Sequence, residues 1–514
     1  MIDTAALREK VLDLAIRGKL VPQDPTDEPA SVLLERIHEQ KLQMVREGKL
    51  KAKDVKDDTI IFKGDDNCYY EKFSDGTVKN IQDEIPFDLP NGWSWSRISS
   101  IGTTNIGLTY KPTDIADEGT IVLRSSNIKN GKIDLTDLVR VKTIIRENQF
   151  VEQNDIVICA RNGSKALVGK CAIFNLAMSE SVSFGAFMAI LRTAFYDYVY
   201  YFLNTQLFRN ILNSDDSKQI NQLTQDMLKN TLIPFPPQNE QRKIVTALNE
   251  IMHQISSIDN NANAVEHTKE VLNSRILELA IQGKLVPQDE NDEPASVLLE
   301  RIRAERKAKL GKKYVESYIY KGDDNCYYEK VGNTSKKISE EMPFDLPFGW
   351  CWITLKEIAT ITSGKTPKNE QITDLGNIPY FKVGDMNLSG NEIFMEVVQY
   401  YVNDCYTGIT FPKNSFIFPK NGGALLTNKK RILKQESLVD LNTGVLIPSS
   451  AVNNEFMFYL FSTVDFTKNY KGSTIPTIDN EMIGNIVFAL PPIEEQSRIV
   501  QKIKAIMSIL KGGD

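Results

Sequence analysis

LAIRGKLVPQDPTDEPASVLLERI, residues 14–37, recurs at 279–302 as LAIQGKLVPQDENDEPASVLLERI, with three of 24 positions changed. Three further blocks repeat in the same order. IFKGDDNCYYEK (61–72) returns as IYKGDDNCYYEK (319–330), EIPFDLPNGWSW (84–95) as EMPFDLPFGWCW (341–352), and PPQNEQRKIV (236–245) as PPIEEQSRIV (491–500). The offsets are 265, 258, 257 and 255 residues. Ordered self-similarity of this kind marks a duplicated architecture. Between the blocks lie two stretches, 98–233 and 355–488, whose sequences do not match; each is long enough for a domain. Drift after duplication would spread differences evenly. A near-identical frame around dissimilar inserts instead implies modules exchanged or selected separately.

The duplication is also circularly offset. The central copy runs unbroken from EQRKIV to LAIQGKLVPQ, whereas EEQSRIVQKIKAIMSIL closes the chain and LREKVLDLAIRGKLVPQ opens it. The two ends together imitate the central element, which predicts neighbouring termini and a pseudo-twofold axis. The central element reads as one long helix. Ile244, Leu248, Ile251, Ile255, Ile258, Ala262, Val265, Lys269, Leu272, Ile276 and Leu279 alternate by four and three as a heptad seam. Ile499, Ile503, Ile506, Leu510 and Leu7, Val11, Leu14 carry the same seam at the termini and are the expected cover for it. The polar run Asp259–Asn263 either faces solvent or breaks the helix. A second helix follows each GKLVPQ, with Asp27 or Asp292 as N-cap and Pro29 or Pro294 in the first turn. Their basic tails, KLKAKDVK and RKAKLGKK, are solvated faces or a partner surface.

Composition bounds the function. At 514 residues the chain holds two to four domains, and 41% hydrophobic with 25% charged residues is globular. No run of 18 apolar residues exists, and the start lacks a secretion signal, so a cytoplasmic protein without a membrane span is expected. The six cysteines form no CxxC and read as reduced thiols; three histidines at no ligand spacing argue against zinc. A net charge of −6 excludes a nucleic-acid binder that works by overall charge.

Enzyme motifs are missing. No Asn/Asp-Pro-Pro-Tyr/Phe methylation loop occurs; FPPQ and LPPI lack the Asn or Asp that would engage a base amine. ATITSGKT (359–366) fits a relaxed phosphate-loop pattern, but it lacks the first glycine and Pro367 follows at once. GSKALVGKC (163–171) has the wrong spacing. The histidines, His38, His253 and His267, lie in predicted frame helices with no nucleophile beside them.

The two inserts mix short apolar runs with turn signals and read as β-rich α/β modules. Neither is basic overall, with 14 Lys/Arg against 13 Asp/Glu in 98–233 and 12 against 13 in 355–488, so any nucleic-acid contact rests on local patches. Such patches are 124–146, 159–176 and 420–434, where Asn, Ser, Thr and Gly stand among cations, as phosphate and base-edge hydrogen bonding requires. The candidate DNA-binding residues are Arg124, Asn127, Lys129, Arg161, Asn162, Lys165 and Lys170 in the first module. In the second they are Lys365, Thr366, Lys382, Asn387, Asn421, Lys429, Lys430 and Arg431. Both modules end alike, SKQINQLTQDML (217–228) against STIPTIDNEMI (473–483), with Thr224 and Asp479 as N-caps of a following helix.

LPxGWxW leading into each module and PPxxEQxxIV leading out of it, together with SGKTP (363–367), NIPYFKVGDMN (377–387) and LVGKCAIF (167–174), resemble type I restriction-modification specificity subunits over essentially the whole chain. The first module departs from SGKTP, reading TNIGLTYKP (104–112). The resemblance implies an α/β (α+β) protein with two β-rich target-recognition domains separated by long antiparallel coiled-coil helices. The division is then 1–60 N-terminal helical region, 61–97 linker, 98–233 first recognition domain, 234–318 central helical region, 319–354 linker, 355–488 second recognition domain and 489–514 C-terminal helix. The resemblance further implies a non-enzymatic chain that reads a bipartite, asymmetric site on double-stranded DNA. Its partners would be two methylation subunits and restriction subunits, which carry SAM, ATP and Mg, while this chain binds no cofactor. The competing readings are a bivalent protein-binding scaffold and, third, a methyltransferase or nuclease in its own right.

Overall fold

The computed structural model describes residues 2–48, 50–213, 222–338, 342–403, 405–468 and 476–511. The chain packs as two compact units, residues 1–263 and 264–514, each mixing helices and strands.

In the first unit, Ser94–Arg97 pairs antiparallel with Leu232–Phe235, Arg97 opposite Leu232 and Ser94 opposite Phe235. This ladder ties together the two ends of the intervening module. Inside it, a four-stranded antiparallel sheet runs in the order Cys171–Ile173, Ile156–Cys159, Met188–Arg192, Thr103–Ile106. A three-stranded sheet runs Val182–Phe184, Ile115–Leu123, Val139–Val141, its first two strands parallel. The strand Ile156–Cys159 shows why its sequence is apolar throughout. Ile156 and Ile158 pack toward the helix Tyr196–Leu203, while Val157 and Cys159 face Leu123, Phe184 and the second sheet. A strand covered on both faces cannot alternate polar with apolar.

The second unit repeats this plan on unrelated residues. Its larger sheet runs Ala359–Ser363, Thr443–Pro448, Phe416–Pro419, Arg431–Leu433, with Phe394–Met395 added at the edge. In its smaller sheet, Ile378–Phe381 is parallel to Leu438–Val439 and antiparallel to Tyr400–Val402, which also carries Ile372–Thr373. Phe416 and Phe418 face Leu460 and Phe461, whereas Ile417 faces Val439 and Val445.

The repeated motifs explain themselves where module meets frame. Trp93 of the first GWxW donates its indole N–H to Glu240 of PPQNEQ at 2.9 Å, and Trp350 donates to Glu495 at 2.8 Å. Gln241 and Gln496 donate to the carbonyls of Pro236 and Pro491 at 2.8 and 2.9 Å. Gly18 and Gly283 of GKLVPQ have φ of +65° and +67°, and a Cβ there would press on Pro90 or Pro347. Backbone of that hand, approached that closely, requires glycine.

Each GKLVPQ leads to a helix, Ala30–Arg46 and Ala295–Leu310, but Asp27 and Asp292 do not cap them. Pro29 and Pro294 occupy the cap position itself, with no side-chain cap. Asp27 instead accepts from Asn239 at 2.9 Å, and Asp292 pairs with Arg498 at 2.6 Å. The acids are drawn to the starts of the helices that leave each module.

Gln238–Ile281 is one unbroken helix of 44 residues. The polar run Asp259–Asn263 does not break it, and Asp259 is not left to solvent: it accepts from Thr4 and Arg8 at 2.6 and 2.7 Å. The seam is covered unevenly. Ile244, Leu248 and Ile255 are buried, with Val11, Leu12, Ala15 and Ile16 of the helix Thr4–Ile16 in the same cluster as Ile244 and Leu248. Ile276 and Ala280 share a core with Ile499, Val500 and Ile503 of the helix Ile493–Lys511. Between these ends Val265 and Leu272 are 55% and 42% exposed, against the expectation of a continuous buried seam. Leu7 is also exposed, because the N-terminal helix packs on module and long helix together through a wide stripe rather than a narrow seam.

Candidate nucleic-acid interface

The shared topology sets the two modules in register where their sequences do not. Cys159 lies opposite Met188, and Pro419 opposite Thr443. The next residues repeat the same bonds: Ala160 N–H donates to Phe187 O and Lys420 N–H to Asn442 O, while Leu223 N–H donates to Ala160 O and Ile478 N–H to Lys420 O. Arg161 bridges Gln222, and Asn421 bridges Thr477. Arg161 and Asn421 are therefore equivalent, as are Phe187 and Asn442. The loop that opens the first module is equivalent to SGKTP despite its sequence. Leu108 N–H donates to Phe184 O as Lys365 N–H donates to Val439 O, and a Cβ on Gly107 or Gly364 would collide with the carbonyl of Gly185 or Asp440. Thr224 and Asp479 accept from the N–H groups of Met227 and Met482 at 3.1 and 2.7 Å, as N-caps of Gln225–Lys229 and Asn480–Gly484. Residues 217–221 and 473–475 of those endings lie outside the described residues.

In the first module the stretches 124–129 and 161–170 meet at Ser125. Asn162 Nδ2 donates to Ser125 Oγ at 3.3 Å, and Lys170 Nζ donates to Ser125 O at 2.8 Å. Arg161 is exposed, its guanidinium 5.4 Å from the ring centroid of Phe187, which is itself 60% exposed. Lys165 lies exposed on the turn between them. Four of the six cations in the patch 124–146 are neutralised by acids. Arg124 pairs with Asp137, Lys129 with Asp134, Arg140 with Glu180 and Lys142 with Glu118. The hydrogen bond from Lys129 holds the Asp134 carboxyl well below the usual range, so this pair stays charged but mutually satisfied. Asn127 is 1% exposed; it accepts from Arg124 N–H and donates to the carbonyls of Asp134 and Asp137. It shapes the loop and is closed to DNA.

The second module gathers the equivalent loops. Lys382 is exposed, with Nζ 4.0 Å over the Tyr400 ring; Asn387 accepts from Lys429. Lys365 and Thr366 are exposed, and Thr366 Oγ1 accepts from Leu441 N–H at 3.3 Å. Asn421 and Asn442 face each other, Nδ2 to Oδ1, at 3.5 Å. Two expected contacts turn inward instead. Lys430 is 6% exposed, donates to Asn428 Oδ1 and Val464 O, and sits 4.4 Å over Phe466; burial drops its ammonium to about 8. Arg431 donates to Lys430 O and Met386 O, and burial lowers its pKa as well. In the run Lys429–Lys430–Arg431 the carbonyls of Val464 and Met386 and the ring of Phe466 decide which cation reaches solvent, and spacing alone does not show it.

Reasoning from charge missed Phe187 and Asn442, since one reads as core and the other as loop. Only the sheet register brings them beside Arg161 and Asn421.

Among the described residues no cluster of three or more His, Cys, Asp or Glu could hold a metal, and no helix is long and apolar enough to cross a membrane.

The profile of the type I restriction modification DNA specificity domain matches residues 90–267 and 347–512. The EcoAI type I restriction enzyme specificity subunit of Escherichia coli is 27% identical over 98% of this chain and 88% of its own length. The EcoEI specificity subunit, also of Escherichia coli, is 26% identical over 98% and 89%. A solved chain from a study of complex assembly and conformational transition in the type I R-M system shares the fold, with a TM-score of 0.55 at 16% identity over 83% of this chain and 93% of the other. Two matched domains covering more than half the chain place it in this family: the protein belongs to the type I restriction-modification specificity subunits, which recognise DNA sequence.

Proposed function

We propose that the two modules each read one half of a bipartite, asymmetric DNA site, and that the chain does no chemistry itself. The observation that carries this is one topology presented twice with different side chains at equivalent edge positions. A duplicated scaffold with unlike reading surfaces suits two unlike half-sites. On this reading the helices leaving each module form an antiparallel coiled-coil strut with a pseudo-twofold relation between the halves. Methylation subunits dock on the frame, one per copy, and restriction subunits complete the complex. SAM, ATP and Mg belong to those partners, and the assembly works in the cytoplasm.

Identical exposed residues in the two frame copies support twofold docking. Val32 and Val297 are 43% and 38% exposed at matching helix positions, and the pairs Glu28–Arg36 and Glu293–Arg301 repeat beside them. Only the far ends of these two helices have diverged, HEQKLQMVR (38–46) against RAERKAKL (303–310).

Module exchange tests the reading. Replacing 98–233 by the equivalent module of a relative, in a host carrying the methylation partner, changes one half of the methylated motif and leaves the other intact. A motif that is one continuous block refutes the two-reader arrangement. A bivalent protein scaffold is the competing reading, and affinity for DNA that ignores salt would favour it, since phosphate contacts release counterions.

A further inference from the structure

We propose that the paired position Arg161/Phe187 in the first module, and Asn421/Asn442 in the second, is a base-reading position that selects guanine in one half-site and adenine in the other. This rests on the reading above and goes beyond it by naming residues and bases.

Four observations converge. The register makes the two pairs equivalent, so one backbone scaffold presents both. At this position the first module carries an exposed arginine fork against an exposed aromatic ring. The guanidinium of Arg161 meets no carboxylate among the described residues, unlike those of Arg124, Arg140 and Arg192, which are paired with Asp137, Glu180 and Asp155. An exposed phenyl face backing an unpaired guanidinium restricts its fork without neutralising it. In the second module the same site carries two half-buried amides in mutual contact. Their contact uses one N–H of Asn421 and the carbonyl of Asn442, leaving Asn421 its second N–H as donor and its own carbonyl as acceptor for a ligand.

The chemistry differs accordingly. An arginine fork matches the O6 and N7 acceptors of guanine in the major groove. An amide matches the N6 donor and N7 acceptor of adenine. Neither arrangement matches the other base as well. Phe187 adds an apolar surface suited to a thymine methyl or to the face of a neighbouring base.

The test selects bound duplexes from a randomised pool with the full chain assembled with its methylation subunit, and repeats this with variants. Arg161→Ala is expected to relax a single G·C position in one half-site by about 5- to 150-fold, the range for a bidentate contact. Asn421→Ala relaxes a single A·T position in the other. Arg161→Lys keeps the charge yet loses the fork, so it relaxes the same position while keeping the salt slope of binding. The double substitution Arg161→Asn with Phe187→Asn moves that position toward adenine. Thermal unfolding stays unchanged for the exposed Arg161 and Phe187 and shifts only slightly for the half-buried Asn421, which keeps a misfolded variant from passing as a result. An unaltered motif, equal weakening on every sequence with a shallower salt slope, or relaxation in both half-sites each overturns the proposal. A wild-type chain that selects no two-part motif overturns the bipartite reading with it, which separates the two failures.

Discussion

Trp93→Phe is the most informative single change in the frame. The indole N–H is 2.9 Å from Glu240 Oε2, and both residues are buried. The other oxygen, Oε1, is buried without a hydrogen-bond partner, so the indole is the main group answering this carboxylate. Removing the donor leaves a buried acid unsatisfied, at a cost of about 1–3 kcal/mol. The smaller ring also leaves space beside Gly18 and Pro90, which adds ~1 kcal/mol. At roughly 2–4 °C per kcal/mol for a unit of this size, the first unit should melt several degrees lower. Glu240→Leu in the same chain removes the stranded charge, and the double variant should recover much of the loss. Thermal denaturation of the four members of the cycle measures the coupling, expected at ~1 kcal/mol or more. Additivity within about 0.5 kcal/mol would show that the pair is not a staple. Trp350→Phe with Glu495→Leu repeats the experiment in the second unit, where Gln288 also donates to Glu495 at 3.1 Å, so a smaller loss and a weaker coupling are expected.

Three other outcomes follow from burial and charge. Ile244→Ala should cost about 2–5 kcal/mol in denaturant unfolding, whereas Val265→Ala, 55% exposed on the same seam, should cost under ~0.5 kcal/mol; equal losses would mean that the seam is covered throughout. Burial lowers the Lys430 ammonium from 10.5 to about 8, so the folded protein releases this proton more readily than the unfolded chain, and stability rises with pH between those values. Lys430→Met should flatten that rise while leaving DNA affinity intact, and lost affinity would return Lys430 to the interface. Desolvation raises the Glu240 carboxyl above 4.5, so its contribution to stability is present below that value and lost as pH rises through the folded pKa. Glu240→Gln should therefore gain on the wild type as pH rises toward neutral, in unfolding measured at a series of pH values; a constant difference would place that carboxylate in water.

The repeated blocks by themselves marked a duplicated frame around two dissimilar stretches, and the family resemblance carried by LPxGWxW and PPxxEQ was legible for a physical reason. Trp93, Glu240, Gln241 and Gly18 meet partners at fixed places on the frame, and such contacts admit few substitutes, so both copies kept them. The N-caps Thr224 and Asp479 were legible because a cap needs only its own next three residues. Asp27 and Asp292 satisfied the same local rule and failed it, because Asn239 and Arg498, some 200 positions away, compete for them. The seam was readable as a period, but not which of its positions would find cover. Charge was the least legible quantity. Arg124 and Lys129 looked free until Asp137 and Asp134 folded back onto them, and Lys430 looked exposed until packing buried it over Phe466. A local pattern encodes what neighbouring residues decide. Whether a side chain faces DNA is decided by strands far apart in sequence, and that is why the equivalence of Arg161/Phe187 with Asn421/Asn442 emerges only from the sheet register.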